Sequence, residues 1–96
     1  EPAPPAFAIT NAFPSPSTSV TSIEYTLPAP GRVRVSVHDV PGRTVAVLRD
    51  EDTGSGRHTE TWNGISTDGT VVSPGIYVVR VEYGGRIATR RIVRLR

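Results

Sequence analysis

Apolar and polar residues alternate along most of this chain, in short runs separated by Gly and Pro. Two runs show the alternation most clearly, with apolar side chains at every second position: Ile23, Tyr25 and Leu27, then Val33, Val35 and Val37. Successive side chains of a β-strand point to opposite faces, so a period of two predicts strands that are buried on one face. Ser36 and His38 follow apolar positions, and we expect them on the solvent-exposed face.

The same pattern extends over the whole chain and predicts seven strands with a turn signal every ~8–12 residues. These strands are Phe7–Thr10, Ser19–Leu27, Arg32–His38, Thr44–Arg49, Arg57–Trp62, Ile76–Tyr83 and Arg86–Leu95. Asp50–Gly56 is expected to be an exposed acidic loop, Gly84-Gly85 a two-residue hairpin turn, and Arg90-Arg91 a bulge or a stretch exposed on both sides. The predicted fold class is all-β, an immunoglobulin-like antiparallel β-sandwich of about seven strands, with Trp62 in its core.

Composition agrees with a single β domain. The 96 residues include 13 Val, 6 Ile and 11 Thr, but only 3 Leu and no Cys, Met or Lys. β-Branched residues favour strands, and the lack of Cys excludes disulfides and Cys-ligated metal centres. No apolar run approaches the ~18 residues of a membrane-spanning helix, so we expect no membrane insertion.

The N-terminal region is rich in Pro and is expected to be distinct from the domain. Residues 1–18 are interpreted as an extended leader or linker, with room for a first strand at 7–10, and residues 19–96 as the immunoglobulin-like domain. The apolar side chains of this leader, Phe7, Ile9 and Phe13, could add to the sheet edge of a neighbouring molecule. The alternative, which we favour, is that they pack on their own domain.

Residues that could carry chemistry are few. His38-Asp39 near a serine is a fragment of a hydrolase triad, but no nucleophile elbow accompanies it, so we do not expect an enzyme. Asp50, Asp52 and Asp68 are weak candidates for a Ca²⁺ site, because the remaining ligands of a calcium loop are missing. A solvated loop explains these acids better, and we expect neither a metal nor a cofactor.

Charge is uneven along the chain, although the net charge is only +2. Residues 1–64 carry a net −2 and residues 65–96 a net +4. The last strand supplies four arginines that we expect to be exposed and take as candidates for binding a partner: Arg90, Arg91, Arg94 and Arg96. A basic strand face is more often simply solvated than bound to nucleic acid, and no nucleic-acid partner is expected.

Most of the chain, from about Asn11 to Arg96, resembles a known family. The residues that carry the resemblance are Asn11–Thr18, the Ile23-x-Tyr25-x-Leu27 strand, the Asp39-x-x-Gly42-Arg43 turn, Trp62-Asn63-Gly64 with Gly69, Val72, Gly75 and Tyr77, and the closing Thr89–Arg96 strand. They are similar to the Ig-like domain of the flagellar hook-cap protein and to the related C-terminal sorting domains of type IX secretion cargo. Ala12 departs from the Pro that is usual at its position.

The resemblance implies an extracellular or cell-surface bacterial protein and leaves three functions open. The first is a non-catalytic C-terminal module that serves as a sorting or attachment signal and is read by secretion or envelope machinery. The second is a structural module of an extracellular filament or cap, which self-associates by strand addition through its N-terminal segment. The third is an accessory glycan- or Ca²⁺-binding module of an extracellular enzyme.

Overall fold

The computed structural model describes residues 6–95, which form seven β-strands. They are β1 (Ala8–Phe13), β2 (Thr21–Leu27), β3 (Gly31–Asp39), β4 (Thr44–Thr53), β5 (Gly56–Trp62), β6 (Gly75–Tyr83) and β7 (Arg86–Arg94). The strands make two antiparallel sheets, with the orders β1-β2-β5 and β4-β3-β6-β7. The two sheets enclose one hydrophobic core, which confirms the predicted immunoglobulin-like sandwich of seven strands.

The core lies between the sheets and consists of the alternate apolar positions that the sequence indicates. Its fully buried side chains include Ile23, Tyr25, Leu27, Val33, Val35, Val37, Val79, Val81 and Ile92. Trp62 is also in the core, as expected, with its ring centroid 5.4 Å from that of Tyr77 in an edge-to-face contact. Such aromatic pairs contribute beyond their buried area, and this pair closes one end of the sandwich.

The N-terminal segment belongs to the sandwich. The first strand that the sequence allowed at residues 7–10 is present as β1 and extends to Phe13, so the described part of this segment is not a linker separate from the domain. β1 pairs with β2 and contains one bulge between Ile9 and Asn11. After it the chain crosses to the other sheet, where Ser17 forms a parallel bridge to Arg94 of β7. Residues 1–5 of the expected leader lie outside the described residues.

Two other expectations about local structure are corrected. β4 continues to Thr53, so Asp50–Thr53 is strand and not acidic loop, because Gly31–Val35 of β3 pairs with it residue by residue. β7 pairs with β6 over its full length without a register shift, so there is no bulge at Arg90-Arg91. The other alternative, a stretch exposed on both sides, is confirmed because both of these side chains are exposed. The Gly84-Gly85 hairpin turn is confirmed, and both glycines have positive φ.

The solvent-exposed position expected for Ser36 and His38 is wrong. Both side chains are buried, Ser36 completely, although they lie on the face of β3 that points away from the core. β3 is an inner strand, and Arg80 and Val78 of β6 lie directly opposite these two residues and help to cover them. The Ser36 hydroxyl and His38 Nε2 are 2.9 Å apart, so these two buried polar side chains form a hydrogen bond with each other.

Candidate functional site

Two of the four arginine candidates lie on the exposed part of β7, whose free edge is the side that faces away from β6. Arg90 and Arg91 are exposed there, as is Arg86 at the beginning of the strand. The Arg90 guanidinium donates a hydrogen bond to the Ile9 carbonyl across the gap between the sheets, at 3.1 Å. Arg96 lies outside the described residues.

Arg94 does not belong to this surface, and its expected exposure is wrong. Only 7% of it is exposed. Its guanidinium donates to the backbone carbonyls of Ser19 and Asn63 and lies 5.5 Å from the centre of the Trp62 ring. Arg94 therefore connects three segments of the domain. The burial of Arg94 could have been predicted from the sequence, because Arg94 is two residues after Ile92 and so lies on the same, buried face of β7.

The backbone of β7 is paired with a neighbour on both sides only at its C-terminal end. The Val93 N–H donates to Ser15 Oγ and its carbonyl accepts from Ser17 N–H, both at 3.0 Å, while Leu95 N–H donates to Ser17 O at 2.8 Å. Residues 93 and 95 thus direct their polar groups away from β6. In an antiparallel pair this direction alternates, so Ile87, Thr89 and Arg91 also direct their N–H and C=O groups outward. Among residues 6–95, no backbone hydrogen bond closes that side of these three residues.

Within residues 6–95, no carboxylate neutralises the charge at this edge. Within the described residues, every ion pair involves an arginine elsewhere in the chain: Arg32, Arg34, Arg43, Arg49 or Arg80. In the same part of the chain, Arg86, Arg90 and Arg91 have no carboxylate within ion-pair distance. The edge therefore combines unpaired backbone groups with unpaired positive charge.

The N-terminal candidates for strand addition all make contacts within their own domain. Ile9 is part of the core, and the Phe7 ring lies 5.3 Å from that of Tyr83. Phe13 is 45% exposed, but its backbone is paired with Ser22 of β2. The segment therefore packs on its own domain, which is the alternative we favoured. Because β1 is an edge strand of its sheet, addition of its outer side to a neighbouring molecule stays a prediction.

The three acidic candidates do not come together. Asp50 lies on β4 and is paired with Arg32 at 3.0 Å. Asp68 lies in the β5–β6 loop, beside the opposite end of β4, where Thr67 N–H donates to Val45 O. The seven steps along the strand from Val45 to Asp52 span about 23 Å. Among the described residues no cluster of three His, Cys, Asp or Glu side chains could hold a metal ion.

Asp68 and Asp39 instead stabilise turns around an open groove of about 640 Å³. The Ser66 hydroxyl and then the Thr70 groups lower the pKa of Asp68 by hydrogen bonding to its carboxylate. Desolvation acts against ionisation of Asp39, but hydrogen bonds from Arg43 outweigh it and lower its pKa. Because these carboxylates already accept hydrogen bonds from the protein, the groove is better explained by the turns that form it than by a ligand.

Neither histidine is arranged for catalysis. His38 contacts Ser36, but Ser36 has no exposed area and no substrate could reach its hydroxyl. His58 stacks on Tyr25 at 5.6 Å between ring centroids. The most extensive polar network also has a structural role, because Tyr25 and Arg49 both donate to Glu60 and so join the two sheets. No helix long and apolar enough to cross a membrane occurs in residues 6–95.

Fold and site together define an immunoglobulin-like β-sandwich module whose described residues leave a basic sheet edge at β7. Comparison with known proteins gives a more specific assignment. The model of the FlgD Ig-like domain family matches residues 10–86, and this chain belongs to that family. The basal-body rod modification proteins FlgD of Salmonella typhimurium and of Salmonella typhi are each 37% identical to it over 65 residues.

These matches cover most of this chain but only a small part of each relative. The aligned region is 68% of this chain and 28% of each rod modification protein, so the chain spans less than a third of their length. The fold also occurs in PorZ, described as an essential surface component of the type-IX secretion system of Porphyromonas gingivalis. That structure covers 90% of this chain and 11% of its own, with a TM-score of 0.56 and 22% identity. At this identity the likeness shows the fold alone.

Proposed function

We propose that this chain is a non-catalytic structural module that makes protein–protein contacts in an exported bacterial assembly of the hook-cap type. The observation that carries the proposal is its membership of the FlgD Ig-like domain family, together with its 37% identity to rod modification proteins. Its place of action is then outside the cytoplasm, at the cell surface or beyond. Its partners are further copies of the protein that contains it or other envelope components.

The geometry supports a contact module. The histidines, Tyr25, Glu60 and Arg94 have packing or hydrogen-bonding roles inside the fold. What the domain leaves available is the β7 edge with Arg86 and Arg91. Unpaired strand edges are places where proteins add further chains, so this surface suits protein contacts better than small-molecule chemistry.

The other two functions receive less support. A sorting signal rests on the likeness to PorZ, and 22% identity shows only a shared fold. A glycan module needs a group of exposed aromatic rings, but Trp62 and Tyr77 are buried and the half-buried Tyr83 packs on Phe7. Among residues 6–95 this leaves Phe13 as a single exposed ring. A calcium module needs clustered acids, but Asp50 and Asp52 lie at one end of β4 and Asp68 lies in the β5–β6 loop beside its other end.

Assembly and sorting can be separated by one experiment on the full-length protein that contains this chain. Cells would produce it with and without residues 8–94, and both secretion and the size of the secreted complex would be measured by immunoblotting and sedimentation. We expect the deleted form to be exported but to sediment as smaller species. Retention of the deleted form inside the cell would favour a sorting role, and unchanged assembly would refute the proposal.

A further inference from the structure

We propose that the free edge of β7, residues 87–91, binds an extended acidic segment of a partner protein as an additional strand of the four-stranded sheet. This inference rests on the proposed function and adds the docking site and the chemistry of the partner. Its first support is the direction of the backbone groups. Ile87, Thr89 and Arg91 present three outward N–H and three outward C=O groups, by the alternation established at Val93 and Leu95.

The edge is also regular enough to accept a strand. β7 pairs with β6 without any shift from Arg86 to Arg94, and this stretch contains no Pro. Residues 15–17 already add to the edge at its far end, with the Ser17–Arg94 bridge. An incoming segment would continue along the strand from that point toward the hairpin turn, over the residues that the N-terminal segment leaves unpaired.

The other three edges are less suitable for addition. β4 has two register shifts opposite β3, and bulges of this kind discourage strand pairing. β1 is bulged, and its Ile9 carbonyl accepts from Arg90. β5 lies beside β4, from which Arg49 reaches across to pair with Glu60. β7 is therefore the edge that is both regular and open.

Charge indicates an acidic partner rather than a second copy of this chain. Arg86, Arg90 and Arg91 surround the edge and have no acidic neighbour among residues 6–95 within ion-pair distance. The chain's own acidic strand, β4, is a poor complement, because Asp50 pairs with Arg32 and Glu51 with Arg49, which leaves Asp52 as its one acid outside the ion pairs of the described residues. Complementary charge mainly selects the partner and accelerates association, while the backbone hydrogen bonds hold the strand in place.

An apolar groove beside the edge indicates that the partner's segment should also carry an apolar side chain. Ile87 of β7 is 55% exposed and Val40 of the β3–β4 turn is 69% exposed. With Val78 between them, they line a groove of about 380 Å³ on the outer face of the sheet. A segment with acidic residues and an apolar side chain next to Ile87 would match both features.

Amide hydrogen exchange on the 96-residue chain, followed by NMR, tests the proposal directly. The probe is a blocked peptide of sequence Asp-Val-Glu-Val-Asp-Val-Glu. In the free chain the amides of Ile87, Thr89 and Arg91 should exchange fast, and those of Ala88 and Arg90 slowly. Saturating peptide should slow the first three at least about tenfold, because a closed hydrogen bond must open before exchange. The same peptide with Lys in place of each acid should have no such effect.

Two variants separate charge from backbone pairing. Arg86→Glu with Arg91→Glu should abolish binding of the acidic peptide, while Arg57→Glu, an exposed site on β5, should leave it unchanged. Thr89→Pro removes an outward N–H and no bond to β6, so it should also abolish binding. If Thr89→Pro does not fold, as judged by Trp62 fluorescence, the arginine pair decides.

Three results of the exchange experiment would overturn the inference. The first is no slowing of exchange at the three amides by the acidic peptide, and the second is equal slowing by the Lys peptide. The third is protection of these amides in the free chain that increases with its concentration, because the edge would then belong to a second copy. Full-length protein that needs residues 8–94 to assemble, yet assembles normally with the arginine pair reversed, would refute this docking site and leave the proposed function intact.

Discussion

Substitution of Gly64 by Ala tests the role of Arg94 in holding the domain together. Gly64 has a φ of +80° and lies against the Arg94 guanidinium; a methyl carbon built on it would be 2.6 Å from Arg94 Cζ. The arginine would have to move away from Asn63, Ser19 and the Trp62 ring, which it now contacts. We therefore expect two separate costs, one from the backbone and one from the displaced side chain.

Gly69→Ala is the matched control. Gly69 lies in the same β5–β6 loop with a φ of +89°, and a methyl group there would meet nothing within 4 Å. An L-residue in this left-handed conformation costs about 1–2 kcal/mol, and that should be the whole effect of Gly69→Ala. Gly64→Ala should lower the free energy of unfolding by a further ~1.5–3 kcal/mol, which is the contribution of a hydrogen bond made by a buried charged group.

Urea unfolding followed by the fluorescence of Trp62, the single tryptophan, measures both variants. A double-mutant cycle completes the test. In an Arg94→Ala background the obstruction is gone, and Gly64→Ala should then cost about the same 1–2 kcal/mol as Gly69→Ala. If Gly64→Ala destabilises the wild-type chain no more than Gly69→Ala does, the assigned role of Arg94 is wrong.

Three further predictions concern the polar groups. Tyr25→Phe removes the hydroxyl that donates to Glu60 Oε2 at 2.8 Å and should lower the free energy of unfolding by about 1 kcal/mol in urea titrations; no change would mean that this bond adds nothing. Hydrogen bonds from Ser66 and then Thr70 lower the pKa of Asp68 below 3.8. The contribution of its carboxylate to the free energy of unfolding is therefore complete above pH 3.8 and is lost as the pH falls through the lowered folded-state pKa. Asp68→Asn should make the melting temperature depend less on pH in this acid range. Added Ca²⁺ should leave the melting temperature unchanged, and a rise with concentration would reveal a site.

The strands and the core could be predicted because they depend on local periodicity. Val33, Val35 and Val37 alternate with polar residues, and one buried face is enough to produce that pattern. The pattern does not report how far neighbouring strands cover the other face. Ser36 and His38 are buried because β3 has a strand on each side, and that position depends on strand order, which no local run of residues encodes.

The candidate site was only partly predictable for a similar reason. The concentration of arginine in the last strand is visible in the sequence, and Arg90 and Arg91 are exposed as expected. Whether the edge they occupy is open depends on where residues 15–17 go. Their contact with β7 is a long-range one, and nothing in the pattern around Ser17 indicates it.

The bridge between Ser17 and Arg94 has a consequence for the order in which the domain folds. Hydrogen bonds at this bridge connect residues separated by 75 to 78 positions, most of the length of the chain. Closing so long a loop costs more entropy than forming the local hairpins β3–β4 and β6–β7. A growing chain can therefore form the β1–β2 and β3–β4 pairs early, but it cannot join residues 15–17 to β7 until residue 95 has been synthesised.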